Sequence, residues 1–300
     1  MLWKILVIVL IILLVLILVG AFGFGTYVMT GKRQTYEEAW EWQSTHYDTS
    51  FYETLQKTDY EIPSYDGYVL HAQFLKNPVD TDKYMILTHG FTDNHYGALK
   101  YAKMYLDYGF NLVIYDLRGH GANKRTFVTY AIRESRDVMA VVADTRRRYG
   151  NIRVLGLHGE SLGAASTAMC MKYKPQVNFG VCDCGFADIE NVIKGSVESM
   201  HLPGFCYYLA ALGAILRYHY SFGKMRPIDA LSENTVPMLF IHGDADQLIP
   251  YQNSERMAAK TAGYSEVRLI PGATHAESVL KDTTAYREYV EAFLKKIEVL

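Results

Sequence analysis

The chain has 300 residues, of which half are hydrophobic and 21% are charged, so it can bury a large core and is not expected to be disordered. Its formal net charge of −2 argues against nucleic acid as a partner. Four cysteines are too few for a disulfide scaffold. The Cys182–Cys184 pair lacks the spacing of a zinc site and the sequence contains no HExxH motif, so we expect neither a metal nor another cofactor.

The N-terminal segment has the most biased composition. Ile5–Val19 contains only Ile, Leu and Val, and no charged residue lies between Lys4 and Lys32. A helix of about 20 such residues crosses the hydrocarbon core of a bilayer, so residues 1–31 are predicted to be a single-pass membrane anchor. A cleaved signal peptide is the alternative, although its apolar region is normally shorter and Gly20–Gly23 is a poor cleavage site. Positive charges flank the segment almost equally, so both orientations stay open.

Residues 32–57 are predicted to form a helical juxtamembrane segment, in which Trp40 and Trp42 either lie at the membrane interface or pack against the following domain. From about residue 58 to residue 300, short apolar runs rich in Val and Ile alternate with helix-length segments. This pattern predicts an α/β domain with a mostly parallel, doubly wound sheet. The predicted strands are Tyr68–Phe74, Tyr84–Thr88, Asn111–Tyr115, Ile152–His158, Phe179–Cys184, Met238–His242 and Glu266–Ile270. The predicted helices are Gly97–Tyr108, Arg133–Tyr149, Leu162–Tyr173, Asn253–Ala262 and Ala285–Ile297.

The alternation is interrupted once, at residues 185–236, where the sequence is helical and rich in aromatic residues. Within this insert, Leu202–Leu216 carries no charged residue. This stretch is short for a membrane span, which favours a buried or interfacial helix. An insert between two strands near the C-terminal edge of the sheet is predicted to form a lid.

One serine lies in a pattern that predicts a nucleophile. Gly159-x-Ser161-x-Gly163 directly follows the predicted strand Ile152–His158, and a helix begins at Leu162. This strand–turn–helix setting holds a serine in a sharp, strained turn with its hydroxyl exposed, and it requires small flanking residues because backbone passes close by. Ser161 is therefore the predicted nucleophile.

A serine hydroxyl needs a base, and the base needs an orienting acid, which precedes it in the chain in this architecture. His275 lies in a loop directly after the last predicted strand, where it can reach over the sheet. The acid is predicted in the segment that follows strand Met238–His242, which offers both Asp244 and Asp246.

Three of these motifs together resemble the serine α/β-hydrolases: GESLG around Ser161, HGDADQLIP from His242 to Pro250, and GATH ending at His275. The resemblance covers roughly residues 60–298 and implies the α/β-hydrolase fold. It implies that Asp246 is the acid, whereas Asp244 shapes the turn. A further stretch, Thr88-His89-Gly90-Phe91, resembles the family's HG motif and implies an oxyanion hole formed by the backbone N–H groups of Phe91 and Leu162.

The segment Asp116–Gly121 resembles the DxRGHG segment of the same family. The following residues Ala122–Lys124 depart from the Gly/Ser-rich pattern that is common there, without consequence for the three predicted catalytic residues. We interpret Asp116, Arg118 and His120 as structural residues that build a buried polar network beneath the site.

A serine at position 161, rather than an aspartate, argues against dehalogenase and epoxide-hydrolase chemistry, which uses a carboxylate nucleophile in this family. The predicted function is that of a membrane-anchored, lipase-like carboxylesterase that transfers the acyl group of a small ester or thioester to water. A serine peptidase of the aminopeptidase type is the enzymatic alternative. A non-catalytic binding module is the other alternative, because fold alone does not imply function.

Overall fold

The computed structural model describes residues 2–300. The chain divides into two units, the larger one formed by Arg33–Asp188 and Arg226–Leu300. The smaller unit joins the N-terminal residues up to Lys32 with Ile189–Met225. It therefore combines the predicted anchor with most of the predicted lid insert, whereas residues 185–188 and 226–236 of that insert belong to the larger unit.

Residues 2–300 form eight strands and eleven α-helices. The strands are β1 (Gln56–Pro63), β2 (Val69–Lys76), β3 (Lys83–Thr88), β4 (Asn111–Tyr115), β5 (Val154–Glu160), β6 (Phe179–Asp183), β7 (Met238–Gly243) and β8 (Ser265–Ile270). The helices are α1 (Leu2–Thr30), α2 (Tyr36–His46), α3 (Ser50–Thr54), α4 (Leu99–Asp107), α5 (Glu134–Tyr149), α6 (Leu162–Cys170), α7 (Ile189–Ser199), α8 (Phe205–Tyr218), α9 (Gln252–Lys260), α10 (Ser278–Lys281) and α11 (Thr283–Lys296).

A single sheet organises the larger unit, with the strand order β1-β2-β4-β3-β5-β6-β7-β8. Strand β2 pairs antiparallel with both β1 and β4, and the strands from β4 to β8 pair in parallel. Every residue of β4, β5, β6 and β7 is buried, as expected for strands that helices cover on both faces. The predicted mostly parallel, doubly wound sheet is confirmed.

The start of the larger unit differs from the prediction for residues 32–57. Helices α2 and α3 occupy most of that segment, but β1 already begins at Gln56. Strand β1 is an edge strand with mostly polar, partly exposed residues, so it lacks the apolar run that identified the other strands. Trp40 packs within the larger unit, with its ring centroid 5.6 Å from that of Tyr52 and 5.3 Å from that of Tyr96.

The smaller unit is built around α1 and α8. Helix α1 is long and apolar enough to span a membrane, with a mean hydropathy of 3.7 in its most apolar window. Its buried residues are Ala21, Gly25 and Met29, all in its C-terminal part. Helix α8 begins three residues after Leu202, the start of the uncharged stretch found in the sequence, and buries Ala210, Gly213 and Ala214 among others.

Candidate active site

Ser161 lies at the junction between β5 and α6, in the strand–turn–helix setting predicted for it. Its φ of 52° and ψ of −112° place a non-glycine residue in a disfavoured region of backbone conformation, and such strain is typical of functional turns. A Cβ atom at Gly159 would lie 2.2 Å from the carbonyl of Gly163, and one at Gly163 would lie 2.2 Å from the carbonyl oxygen of Thr88. Both contacts are with backbone atoms, so a side chain at either position would force the turn to shift, which explains the glycines on both sides of Ser161.

Ser161 and His275, predicted from their sequence context, and Asp246, implied by the family resemblance, are joined by hydrogen bonds. Ser161 Oγ lies 2.9 Å from Nε2 of His275, and Nδ1 of His275 lies 2.7 Å from Oδ2 of Asp246. Ser161 and Asp246 are buried, while the side chain of His275 keeps 21% of its surface exposed. This geometry lets the serine hydroxyl donate to the imidazole while the imidazole donates to the carboxylate.

The Asp246 carboxylate is held by further donors that sequence reasoning did not assign. Its Oδ1 accepts hydrogen bonds from the backbone N–H groups of Leu248 and Ile249 at 2.9 and 2.8 Å. Nε2 of His242 lies 3.2 Å from Oδ2. Burial would raise the pKa of Asp246, but the hydrogen bonds from His242 and His275 outweigh it and hold the pKa below the usual range. The carboxylate therefore stays ionised and can stabilise a protonated His275.

Asp244, the other aspartate of this segment, has a different place in the structure. It is exposed, and its Oδ1 accepts a hydrogen bond of 2.6 Å from the backbone N–H of Gly272. It thereby joins the loop after β7 to the loop that carries His275. This contact fits the turn-shaping role that the resemblance implied for Asp244.

The loop after β3 passes close to the serine. A Cβ atom at Gly90 would lie 3.6 Å from Cβ of Ser161, which brings the backbone at Phe91 beside the nucleophile turn. Nε2 of His120 donates to the carbonyl oxygen of Phe91 and holds this loop from below. Leu162 is the first residue of α6, so its N–H has no acceptor within the helix. The two predicted oxyanion donors thus lie in the loop after β3 and at the first residue of α6.

The DxRGHG segment forms the buried polar network that was predicted. The guanidinium of the fully buried Arg118 donates to Asp137 at 2.6 and 2.5 Å and to Asp66 at 3.0 Å. Asp116 accepts from the backbone N–H of His95 at 2.9 Å and from its ring Nδ1 at 3.0 Å. These contacts fix the loop after β4 without touching Ser161.

A second polar cluster, which the sequence did not indicate, lies on the other side of the serine. Lys100 forms an ion pair with Glu160, the residue before Ser161. The hydroxyl of Tyr101 lies 2.7 Å from Glu160 Oε2 and 2.9 Å from Asp183 Oδ2. Burial, followed by the negative charge of Glu160, raises the pKa of Asp183 to about 6. We name Lys100, Tyr101, Glu160 and Asp183 the carboxylate cluster.

One group of side chains has the donor types that a zinc ion accepts. The ligand atoms of Cys184, Asp246 and His275 lie within 4.8 Å of one another. However, Asp246 and His275 are already hydrogen-bonded to each other. Burial also raises the pKa of the Cys184 thiol well above its usual value, which disfavours the thiolate that binds metals. The protonation states of these residues therefore suit the hydrogen bond between Asp246 and His275 better than the binding of a metal ion.

Comparisons with known proteins relate the chain to one protein family. A profile of the prolyl oligopeptidase family matches residues 98–297. The chain is 30% identical over 247 residues to the uncharacterized protein YqkD of Bacillus subtilis, covering 81% of both chains. It is 24% identical over 242 residues to the uncharacterized protein YfhR of Escherichia coli strain K12, covering 78% of this chain and 79% of the relative.

Solved structures show the same fold. The Pyrococcus furiosus esterase Pf2001 matches with a TM-score of 0.69 at 21% identity, over 83% of this chain and 94% of the esterase. Est1E from Butyrivibrio proteoclasticus matches with a TM-score of 0.61 at 19% identity, over 81% of this chain and 99% of Est1E. The Pyrococcus horikoshii acylaminoacyl peptidase matches with a TM-score of 0.63 at 13% identity, over 84% of this chain but 44% of the peptidase.

The fold, the family match and the relatives lead to one assignment. The sheet order and the strand–turn–helix at Ser161 are those of an α/β-hydrolase, and the family profile covers the segment from Ala98 to Ile297. The chain is thus a serine hydrolase with the α/β-hydrolase fold, and it belongs to the prolyl oligopeptidase family.

Proposed function

We propose that this protein is a membrane-anchored serine hydrolase that cleaves carboxylic esters or thioesters through an acyl-enzyme on Ser161. The observation that carries the proposal is the continuous hydrogen-bond chain from Ser161 through His275 to Asp246, with distances of 2.9 and 2.7 Å. Such a chain activates a hydroxyl that is otherwise a weak nucleophile.

In the proposed reaction, Ser161 Oγ attacks the acyl carbon while Nε2 of His275 takes the hydroxyl proton. The negative charge that develops on the carbonyl oxygen is stabilised by the backbone N–H groups of Phe91 and Leu162. His275 then protonates the leaving oxygen or sulfur as its bond to the acyl carbon breaks. Water repeats the sequence on the acyl-enzyme, with His275 as base, and releases the acid and the free serine.

The choice of an ester rather than a peptide is supported by how much of each relative the chain spans. It covers 94% of the Pyrococcus esterase and 99% of Est1E, but only 44% of the acylaminoacyl peptidase. More than half of that peptidase therefore has no counterpart here, whereas the esterases correspond over almost their whole length. For this reason the proposal takes the two esterases, rather than the peptidase, as the guide to the substrate class.

The proposed location is a membrane, with α1 as a single span. The side chains of residues 2–19 are almost all exposed and apolar, apart from Lys4, and water is an unfavourable surrounding for such a surface. A bilayer would cover it. The buried residues Ala21, Gly25 and Met29 also give α1 a packing role, which supports an uncleaved anchor over a removed signal peptide.

A substrate panel tests the proposal. Purified full-length protein is assayed with p-nitrophenyl esters of graded acyl length, with a thioester, and with aminoacyl and acylaminoacyl p-nitroanilides. Ester turnover that exceeds amide turnover by orders of magnitude, and that disappears in Ser161→Ala, supports the proposal. Faster turnover of the anilides would replace it with the peptidase alternative, and turnover that persists in Ser161→Ala would contradict the nucleophile.

A further inference from the structure

Helix α8 is in direct backbone contact with the apolar helix α1. A Cβ atom added to Gly213 would lie 1.8 Å from the carbonyl oxygen of Ala21, and one added to Gly25 would lie 2.8 Å from Cα of Gly213. Two glycines facing each other at this distance are typical of helix pairs inside membranes, where close backbone approach replaces the hydrophobic effect as the source of stability.

The contacts along this interface define the direction of both helices. A Cβ atom at Gly20 would lie 3.2 Å from Cδ1 of Leu209, and Nη1 of Arg217 donates to Oγ1 of Thr26 at 2.9 Å. Higher residue numbers in α1 meet higher numbers in α8, so the helices run in the same direction. The N-terminus of α8 therefore points towards the N-terminal part of α1, whose side chains are exposed and apolar, and Arg217 lies at the opposite end.

The surface near the N-terminus of α8 suits lipid rather than water. The exposed fractions of Phe205 and Tyr208 are 61% and 70%, and Met200, just before the helix, is 53% exposed. No charged residue lies between Leu202 and Leu216. An apolar groove of about 330 Å³ continues this surface along α1, and its lining consists of Gly20, Gly23, Phe24, Tyr27 and Met200.

At the N-terminus of α8, two backbone N–H groups have hydrogen-bond acceptors within the turn, as an apolar environment requires. Free N–H groups at a helix N-terminus are costly in lipid, because no water is present to accept from them. Here the N–H of Cys206 donates to the carbonyl of Pro203 at 2.9 Å, and that of Tyr207 donates to Gly204 at 3.3 Å. Two of the first donors are thereby satisfied within the turn.

From these contacts we infer that α8 inserts its N-terminal half into the lipid bilayer beside α1, so that the protein enters the membrane with two helices. The inference rests on the proposed membrane anchor. This insertion is shallow and reaches the boundary between headgroups and acyl chains, because the polar residues His201 and Glu198 lie just before the end of α8 that enters. Tyrosines are typical of that boundary. The occupant of the exposed face of α8 is therefore lipid.

Depth-dependent fluorescence quenching tests this inference on the full chain. An environment-sensitive fluorophore is attached to Tyr208→Cys, Leu10→Cys or Ser232→Cys in phosphatidylcholine vesicles that contain nitroxide lipids at a shallow or a deep acyl position. The native cysteines are buried, so labelling is directed to the introduced thiol. Ser232 is an exposed polar residue of the larger unit and provides the control outside the membrane.

We expect the probe at position 10 to lose most of its fluorescence to the deep quencher and the probe at position 208 to the shallow one. The probe at position 232 is expected to keep its fluorescence with both. If position 10 is quenched while position 208 behaves like position 232, the insertion of α8 is refuted and the anchor stands. If position 10 is unquenched, or absent from the mature chain by mass spectrometry, both the anchor and this inference fail.

A second pair of variants tests the contact between the helices. Gly213→Leu places a side chain where the carbonyl of Ala21 lies, whereas Gly195→Leu is a matched control because a Cβ atom at Gly195 meets nothing within 4 Å. We expect Gly213→Leu to reduce quenching at position 208 and to leave quenching at position 10 unchanged. Unchanged quenching at 208 would refute the role of this contact. Fluorophosphonate labelling of Ser161 verifies that the larger unit of each variant is folded.

Discussion

Lys100 and Glu160 form an ion pair with side-chain exposures of only 4% and 7%. The same Lys100 ammonium donates to the carbonyl oxygen of Ala276 at 2.9 Å. Glu160 directly precedes the proposed nucleophile and Ala276 directly follows the proposed base. Lys100 therefore connects the end of β5 with the loop that carries His275. The separation of these two segments decides whether the Ser161–His275 hydrogen bond can form, which makes Lys100 a positioning residue.

Replacing Lys100 with Met is expected to lower both stability and turnover. Removal of one partner from a buried pair costs about 3–5 kcal/mol, because it leaves the other charge uncompensated. The loss of the Ala276 contact should lower kcat more than it raises KM for a short ester, since His275 is displaced and the substrate surface is not. Thermal unfolding and steady-state kinetics measure the two effects.

Three further variants separate positioning from stability. Lys100→Arg should recover part of kcat, and the double variant Lys100→Met with Glu160→Gln should recover stability without recovering kcat. Lys103→Met is the matched control on the same helix, because its ion pair with Asp107 is exposed and is worth about 0–1 kcal/mol. A double variant with full wild-type kcat would contradict the positioning role.

Ser161→Ala is expected to reduce ester turnover by roughly 10⁴-fold and to abolish fluorophosphonate labelling. His275→Ala should be almost as damaging, because the two residues act as a unit. Ser166→Ala is the matched control: Ser166 is a buried serine of the next helical turn that donates to the carbonyl of Leu162 at 2.7 Å. Labelling at full strength in Ser161→Ala would refute the proposed nucleophile.

The two aspartates after β7 should differ strongly when each is replaced by Asn. Asp246→Asn puts an amide opposite Nδ1 of His275 and favours the wrong tautomer, which costs about 10⁴-fold in kcat in a serine protease triad. Asp244→Asn keeps an oxygen that can accept from Gly272, so its effect should be small. The ratio of the two kcat values at equal folded fractions measures the difference. Equal losses, or a larger loss for Asp244→Asn, would contradict Asp246 as the acid.

The residues that act at the end of strands could be predicted from sequence, because each motif follows an apolar run that is recognisable by itself. Ser161 and His275 are found in this way, whereas the choice of Asp246 over Asp244 came from the family resemblance. The carboxylate cluster could not be predicted. In the sequence, Lys100 looks like any lysine of a solvent-exposed helix face, and it meets Glu160 only because the chain folds. Strand β1 was missed for another reason. Its pairing with β2 stabilises it, while its own residues are mostly polar.

The contact between α1 and α8 was also outside the reach of sequence patterns. Both segments are recognisable as apolar, and the prediction of a buried or interfacial helix for Leu202–Leu216 agrees with α8. Gly25 and Gly213, however, are ordinary glycines in the sequence, and only their shared interface explains why neither has a side chain.

Buried histidines should make the fold sensitive to acid. Burial lowers the pKa of His89 to about 4 and the pKa values of His120 and His158 to about 3, from an ordinary value of 6.5. Below pH 6.5 these histidines are protonated in the unfolded chain but stay neutral in the folded chain. The free energy of unfolding therefore falls as the pH falls. The slope is about 1.4 kcal/mol per pH unit for each histidine.

Asp183 acts in the opposite direction over part of this range. Burial and the charge of Glu160 raise its pKa to about 6 from 3.8, so its protonation stabilises the fold as the pH falls from 6 towards 4. Burial raises the pKa of Asp93 to about 6 as well. Two such carboxyl groups against three histidines still leave a net loss. Tm measured from pH 7.5 to 5 should therefore decrease, and His158→Gln, which cannot titrate, should show a shallower decrease. An identical slope in that variant would contradict a neutral buried His158.

Deletion of residues 2–31 should separate the roles of the two units. Ser161, His275 and Asp246 belong to the larger unit, so the shortened protein is expected to hydrolyse short soluble esters at a rate close to that of the full chain.

Helix α8, in contrast, loses the surface that covers Gly213. Its backbone amides should then exchange with deuterium faster, while those of β5 and β6 exchange at the same rate as before. Hydrogen exchange followed by mass spectrometry compares the peptides that cover Phe205–Tyr218 in the two proteins. Both proteins are measured in the same detergent. Unchanged exchange in α8 would mean that α1 is only a tether, and loss of short-ester hydrolysis with intact β5 and β6 would mean that the catalytic residues depend on the smaller unit.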